Sequence, residues 1–477
     1  MSFTSTAFLL ALLPSALIGW ALPRAFKAPW LLLCSLAFYA TWSVPYLLLL
    51  LGVSAFVYAM ARVLDRHGDT PLAGRLLLLG QAILLGGLAV FKYPDLLSEA
   101  LAPTGWGGTL ARIIAPIGIS YYLFKAISYL TDVYWGEYPA QRDPVKVALY
   151  LAFFPQIVSG PIQRAQPFFE QLDDEHFCQR DWRRLRSALA LLVLGYFEKL
   201  IVADHIGPLV EAINQVPYPA PSLALAADYA YALQLFSDFA GVTHIALGLG
   251  TLFGIFGPAN FNRPFSAMNI QDYWRRWHMS LSSWLADYLF TPLRMALRRF
   301  GTAGLCASLM INMVLIGVWH GSNATYFVFG VIHGVFLIVS TLTLPPRDRF
   351  FKRHPQWVGL RRVAAPVITF HLVVSALIFF RAPDVSFAWT NLRALLGVGT
   401  GPVTGWEAID RGIWMPALAY SLIALQRATG WPALHRLVPP SGWLRRPVLQ
   451  QSFYWFLALV TIFLAAPEPS SFIYARY

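Results

Sequence analysis

The feature that most constrains this chain is its division into long apolar runs separated by short basic or Pro/Gly-rich stretches. A bilayer core takes about 20 residues of helix. Backbone in hydrocarbon has no water to bond, so runs of that length span as helices whose hydrogen bonds are all internal. Asp, Glu, Lys and Arg make up only 13% of the 477 residues, and 57% are hydrophobic. Soluble domains carry about 25% charged residues. With a mean hydropathy of +0.54, the sequence predicts an all-α, polytopic membrane protein of about 11–12 transmembrane helices.

The runs with spanning character are 6–22, 29–42, 45–61, 72–91, 111–131, 187–209, 223–253, 302–319, 324–344, 364–381, 412–426 and 450–466. Segments 147–164 and 264–300 are apolar in part but broken by Pro, Gly and charge, and read as re-entrant or interfacial. The first run has no basic residue before Arg24, so it reads as a retained span rather than a cleaved signal. With these spans, the basic residues around 24–27, 62–66, 142–146, 180–186, 263–299, 347–362 and 427–445 fall on one side. That side is cytoplasmic by the positive-inside rule, and both termini face outward.

The formal net charge of +12 is thus explained by loops facing anionic lipid headgroups. It does not indicate nucleic acid, because no soluble basic domain is left to bind it. Cys34, Cys178 and Cys306 are widely spaced, which argues against a disulfide framework or zinc site. No linker divides the chain, so residues 1–477 read as one membrane-embedded domain.

Within this apolar background, His278 and His320 stand out. An ionisable residue inside a membrane is a functional candidate, and imidazole is the side chain that moves protons near neutral pH. His320 ends the run Leu305–Trp319 and precedes Gly321. His278 lies among Trp274, Trp277, Leu281, Trp284 and Tyr288, whose spacing describes one apolar helical face. Arg275, Arg276, Ser282, Ser283 and Asp287 fill the other side. An interfacial helix accounts for those aromatics and arginines, but not for His278, placed beside Trp274 and Ser282. A helix-packing role competes for any single histidine, and His333 and His371 stay nearer to it.

In the run 223–253, Gln234 and Asp238 share a helical face. A carboxylate there orients an imidazole or is tied to a cation such as Arg263. Gln156, in a broken stretch with two prolines, lines a tunnel or packs in a buried loop. His176 and Asp181 have an acyltransferase-like spacing without companion motifs and read as chance. There is no Gly-x-Ser-x-Gly elbow, no phosphate-binding Walker loop and no His-Glu-x-x-His helix, so covalent serine catalysis and nucleotide hydrolysis have no support.

Several blocks resemble the membrane-bound O-acyltransferase family. They are Pro116-Ile117-Gly118-Ile119-Ser120-Tyr121-Tyr122 with Ser128-Tyr129 and Asp132, Phe154-Pro155 with Gly160-Pro161-Ile162, and Phe236 to Gly241. Asn262-Arg263-Pro264-Phe265, Tyr273 to Trp284 and Gly317-Val318-Trp319-His320-Gly321 complete the set. They cover a core of about 116–334, flanked by peripheral helices in 1–110 and 345–477. The branch they resemble contains bacterial alginate O-acetyltransferase membrane subunits and teichoic-acid D-alanyl transferases.

The resemblance implies a central tunnel with His320 at the family's histidine and His278 at its second polar position. It implies acyl transfer from a cytoplasmic thioester, acetyl-CoA, to a hydroxyl of an exopolysaccharide or cell-wall glycan, through a periplasmic partner protein. The protein would lie in a bacterial inner membrane. His320 is then the general base, and His278 orients the thioester or stabilises the oxyanion. Arg275 and Arg276 hold the CoA phosphates, Asp238, Trp319, Ser282 and Gln156 support the tunnel, and no metal or resident cofactor is needed. D-alanyl transfer from a carrier protein, a polysaccharide transporter and a non-catalytic export subunit are the competing readings.

Overall fold

The computed structural model describes residues 1–102, 115–214, 221–398, 447–465, 470 and 472. The described chain is helical throughout its ordered elements. Among the described residues, six helices are long and apolar enough to cross a membrane: Val44–His67, Pro71–Lys92, Pro221–Leu252, Arg298–His320, Ala324–Arg353 and Pro355–Arg381. Thr6–Ala21 and Gln451–Leu464 are shorter apolar helices. The expected span at 412–426 lies outside the described residues, as does the start of the one at 111–131.

Two compact units account for the contacts. The first comprises Met1–Tyr196, Gly241–Pro258 and Ser471–Tyr477. Its helices Val44–His67 and Pro71–Lys92 are only 28% and 22% buried over their most apolar windows, and Leu48, Leu78 and Leu79 are exposed. Apolar surface of that extent suits lipid contact. Helix Ile119–Tyr134 is buried over nearly its whole length. The stretch 153–163, one helical turn at Phe154–Ile157 followed by irregular chain, is also buried.

The second unit comprises Phe197–Ala240 and Ala259–Ser470. Its helices Gly301–His320 and Ala324–Arg353 form a close pair. A Cβ at Gly317 would lie 2.2 Å from the Tyr326 carbonyl oxygen, and one at Gly330 would lie 2.6 Å from that of Met313. Small residues let helix backbones approach in this way inside a membrane. Gly321, just past the helix end, is also closely approached, since a Cβ there would lie 2.8 Å from the Tyr326 ring.

Two expected elements differ. The run 187–209 is no single span: it divides into an α-helix at Trp182–Tyr196, a π-helix at Phe197–Ala203 and an α-helix at Asp204–Asn214. The wider π turn carries Glu198 and Lys199, both buried. The face at 264–300 is not one helix either. Short helices at Ile270–Trp274 and Met279–Leu285 are separated by a turn in which His278 takes φ 44°, ψ 52°. Of the expected face Trp277, Leu281 and Trp284 are buried, whereas Trp274 and Tyr288 are partly exposed, so the periodicity marked burial in part while the helix breaks.

Gly317→Ala is expected to lower the thermal midpoint of the detergent-solubilised protein, at a cost of about 1–3 kcal/mol for overpacking. Gly86→Ala, where an added Cβ meets nothing within 4 Å, is the control. Equal midpoints for the two variants would show that the close helix pair does not need its glycines.

Candidate functional site

The second unit brings His278 and His320 onto one indole. The Trp319 ring lies 4.7 Å from the His320 ring and 6.4 Å from that of His278, centroid to centroid. The two imidazoles are therefore no further apart than the sum of those distances, despite 41 intervening residues. His320 is the last residue of its helix. Phe380 packs edge-on against it at 4.7 Å, and Tyr326 and Phe329 flank it. Both histidines are buried, at 2% and 5% exposure.

His278 is held from its backbone outward. Its left-handed conformation is one that histidine visits more often than most residues, though it is still uncommon. Such outliers gather where surrounding structure fixes them. Here the Met279 N–H donates to the Asn260 carbonyl, and the Asn262 N–H donates to that of Arg276. Phe239 packs edge-on to the imidazole at 4.6 Å, and Phe261 packs on Trp277.

Asn260, fully buried, was not singled out in the sequence. Its Oδ1 accepts from the Ser280 hydroxyl at 2.6 Å and lies 3.4 Å from the Ser280 backbone N–H. Facing a backbone donor, that atom is the amide oxygen rather than the nitrogen. His278 Nδ1 lies 3.4 Å from it, so Nδ1 carries the proton and Nε2 the lone pair. Burial pulls the His278 pKa down to about 3, which keeps the ring neutral at pH 7.

Asp238 is tied to Lys199, not to Arg263. Lys199 Nζ lies 2.8 Å from Asp238 Oδ1 and 2.9 Å from Asp204 Oδ1, and donates to Ser470 Oγ at 3.0 Å. An ammonium this deep needs such partners. The adjacent Glu198 and Lys199, charges inside an apolar run, were the available signal. Trp274 gives its indole N–H to His333 Nδ1 at 3.3 Å instead of bracketing His278. Ser282 Oγ donates to the Trp277 carbonyl. Arg275 is exposed, whereas Arg276 pairs with Asp272 at 2.7 Å. Gln156 belongs to the first unit, where it accepts from Lys125 Nζ at 2.9 Å and donates to Gln163 at 2.6 Å. His371 bonds Tyr229 at 2.6 Å.

The second unit thus sets two buried imidazoles against one indole, in a chain with six helices of membrane-crossing length among its described residues. Residues 141–365 match the model of the membrane-bound O-acyltransferase family. The chain is 34% identical over 410 residues to a probable alginate O-acetylase of Pseudomonas aeruginosa, covering 84% of this chain and 76% of that protein. It is 30% identical to a peptidoglycan O-acetyltransferase of Helicobacter pylori, covering 83% and 80%. To a teichoic acid D-alanyltransferase of Bacillus subtilis it is 31% identical, covering 55% and 67%. The chain belongs to the membrane-bound O-acyltransferase family, in its alginate O-acetylase-like branch, and is an enzyme of the O-acetyltransferase kind.

Two measurements check this geometry. Asn260→Asp keeps an acceptor at Nδ1 and is expected to retain most acyl transfer, whereas Asn260→Leu is expected to lose about tenfold or more, the equivalent of one buried hydrogen bond. Equal rates would remove Asn260 from the positioning of His278. Lys199→Met leaves two buried carboxylates facing each other. It is expected to destabilise by about 3–5 kcal/mol in thermal or denaturant unfolding, with recovery on adding Asp204→Asn and Asp238→Asn.

Proposed function

We propose that the protein takes an acetyl group from cytoplasmic acetyl-CoA and delivers it for O-acetylation of an exopolysaccharide, alginate- or cellulose-like, or of a cell-wall glycan. It does so in a bacterial inner membrane, with both termini periplasmic and a periplasmic partner completing transfer to the polymer. The observation that carries this reading is the pair of buried imidazoles on the Trp319 ring. The breadth of the likeness favours acetyl over D-alanyl, because relatives named for O-acetylation align over 83–84% of this chain and the D-alanyltransferase over 55%.

In the proposed reaction the acceptor oxygen attacks the thioester carbonyl carbon while His320 takes the hydroxyl proton. The tetrahedral intermediate then collapses, the carbon–sulfur bond breaks, and the imidazolium returns its proton to the departing thiolate. His278, neutral with its lone pair on Nε2, suits accepting a hydrogen bond from an amide N–H of the pantetheine arm. That tautomer favours orientation of the thioester over donation to the oxyanion. Exposed Arg275 serves the CoA phosphates as a charged hydrogen-bond donor, and Arg276, held by Asp272, shapes the same turn.

The test is transfer of label from [acetyl-14C]-CoA by the purified protein in liposomes, with candidate acceptors and periplasmic partners supplied. His320→Ala is expected to reduce transfer by about 10²–10⁴-fold, the usual worth of a general base, with the fold intact. Full transfer by that variant would remove His320 from catalysis. No transfer by the wild type from acetyl-CoA, with transfer from a D-alanyl carrier protein, would overturn the donor assignment.

A further inference from the structure

We propose that His333 is a positioning residue for acyl transfer, a role that rests on the acyltransfer reading above for what His278 and His320 do. It holds the turn that presents His278 and the ring that backs His320 in fixed relation to each other. His333 is 1% exposed, and its Nδ1 accepts the Trp274 indole N–H at 3.3 Å. An indole nitrogen only donates, so Nδ1 holds the lone pair, Nε2 holds the proton and the ring is neutral. Tyr273 stacks on the imidazole at 6.4 Å, and Phe329 packs against it at 4.6 Å.

Two short routes lead from this imidazole to the site. The first runs through the short helix Ile270–Trp274, which is fastened to the long helix Ala324–Arg353 at both ends. Gln271 Nε2 donates to Thr341 Oγ1 at 2.6 Å at one end, and Trp274 meets His333 at the other. The Tyr273 ring stacks on His333 and also on Trp277, at 6.4 and 5.8 Å, with planes 16° and 18° apart. The Tyr273 carbonyl accepts from the Arg276 and Trp277 N–H groups, so the turn that ends at His278 hangs from this residue. The second route is one ring long, because Phe329 also meets the His320 ring at 6.4 Å.

These contacts select the side chain. The position asks for a flat ring, to stack on Tyr273 and meet Phe329, and for an acceptor in the ring plane, to receive the indole. Phenylalanine supplies the ring without the acceptor, and asparagine the acceptor without the ring. Neutral histidine supplies both. The Gln271–Thr341 bond already anchors the short helix, whereas the Trp274–His333 bond fixes the end that leads into His278. A misplacement of about 1 Å between reacting groups can cost about 100-fold in rate, so a spacer between the supports of the two imidazoles bears directly on the reaction.

The experiment pairs 15N NMR spectra of histidine-labelled, full-length protein in nanodiscs with steady-state transfer from [acetyl-14C]-CoA, for wild type, His333→Phe, His333→Asn, Trp274→Phe and Thr341→Val. The His278 ring signals are those absent from His278→Ala. His333→Phe and Trp274→Phe remove the same hydrogen bond from opposite sides. Each, at a temperature where it is folded by thermal melt, is expected to move the His278 Nδ1 signal and to lower kcat by about tenfold or more. His333→Asn, with its amide oxygen where Nδ1 was, is expected to stay nearer to wild type in both readouts. Thr341→Val releases the far end of the same helix and is expected to leave both unchanged. Unmoved His278 signals in the two phenylalanine variants overturn the proposal, as does an unchanged kcat in them or an equal loss in Thr341→Val. Signals that move as expected, in a protein whose wild type transfers no acetyl group, support the placement of His278 by His333 and overturn the acyltransfer reading instead.

Discussion

A polar group buried in a membrane protein must find its partner within the protein or in a ligand, and the polar interior of this chain is arranged around that requirement. Lys199 is its sharpest case. All three ammonium protons have acceptors, in Asp204, Asp238 and Ser470. Reaching them from one residue takes the π turn at Phe197–Ala203, because π segments widen a helix locally and re-aim its side chains. The cluster anchors Asp238, and the next residue, Phe239, packs on His278. A charge network that is costly to bury is thereby connected to the placement of an imidazole.

The two histidines are supported by different means. His320 sits among rings, with Trp319, Tyr326, Phe329 and Phe380 around it, on a helix whose glycines allow its neighbour to approach closely. His278 is supported by hydrogen bonds, through the Asn260 side chain and the backbone bonds that stitch 260–262 to 276–279. Aromatic packing fixes the place of a ring, and a hydrogen-bond acceptor at Nδ1 fixes its tautomer as well.

Much of this was legible in the sequence, and the limits have physical causes. Spans such as 72–91 and 302–319 were readable because lipid contact demands uninterrupted apolar length, and the helices Pro71–Lys92 and Gly301–His320 follow them closely. His278 and His320 were readable because imidazole is conspicuous in apolar surroundings. The break at 275–278 was not, since Trp274, Trp277 and Leu281 keep helical spacing while the backbone leaves the helix. Asn260 was missed because an amide between Ala259 and Phe261, just after Gly257-Pro258, looks like loop, and its meaning comes only from a partner 18 residues away. The partner of Asp238 was misread for the same reason. Arg263 is a family-block arginine, whereas Lys199 lies 39 residues before Asp238, in a run whose helical register changes at the π turn.

The same argument explains why polar residues on these helices differ in kind. Gln156 and Lys125 satisfy each other and nearby carbonyls within the first unit, as a network that specifies a packed interior does. The Asn260–Ser280–His278 set differs, because its shared acceptor fixes which nitrogen of a buried ring carries the proton. Stability asks only that each buried bond be made, because an unmade one is costly. Fixing a tautomer is a further demand, and it falls on the ring that shares the Trp319 indole with His320.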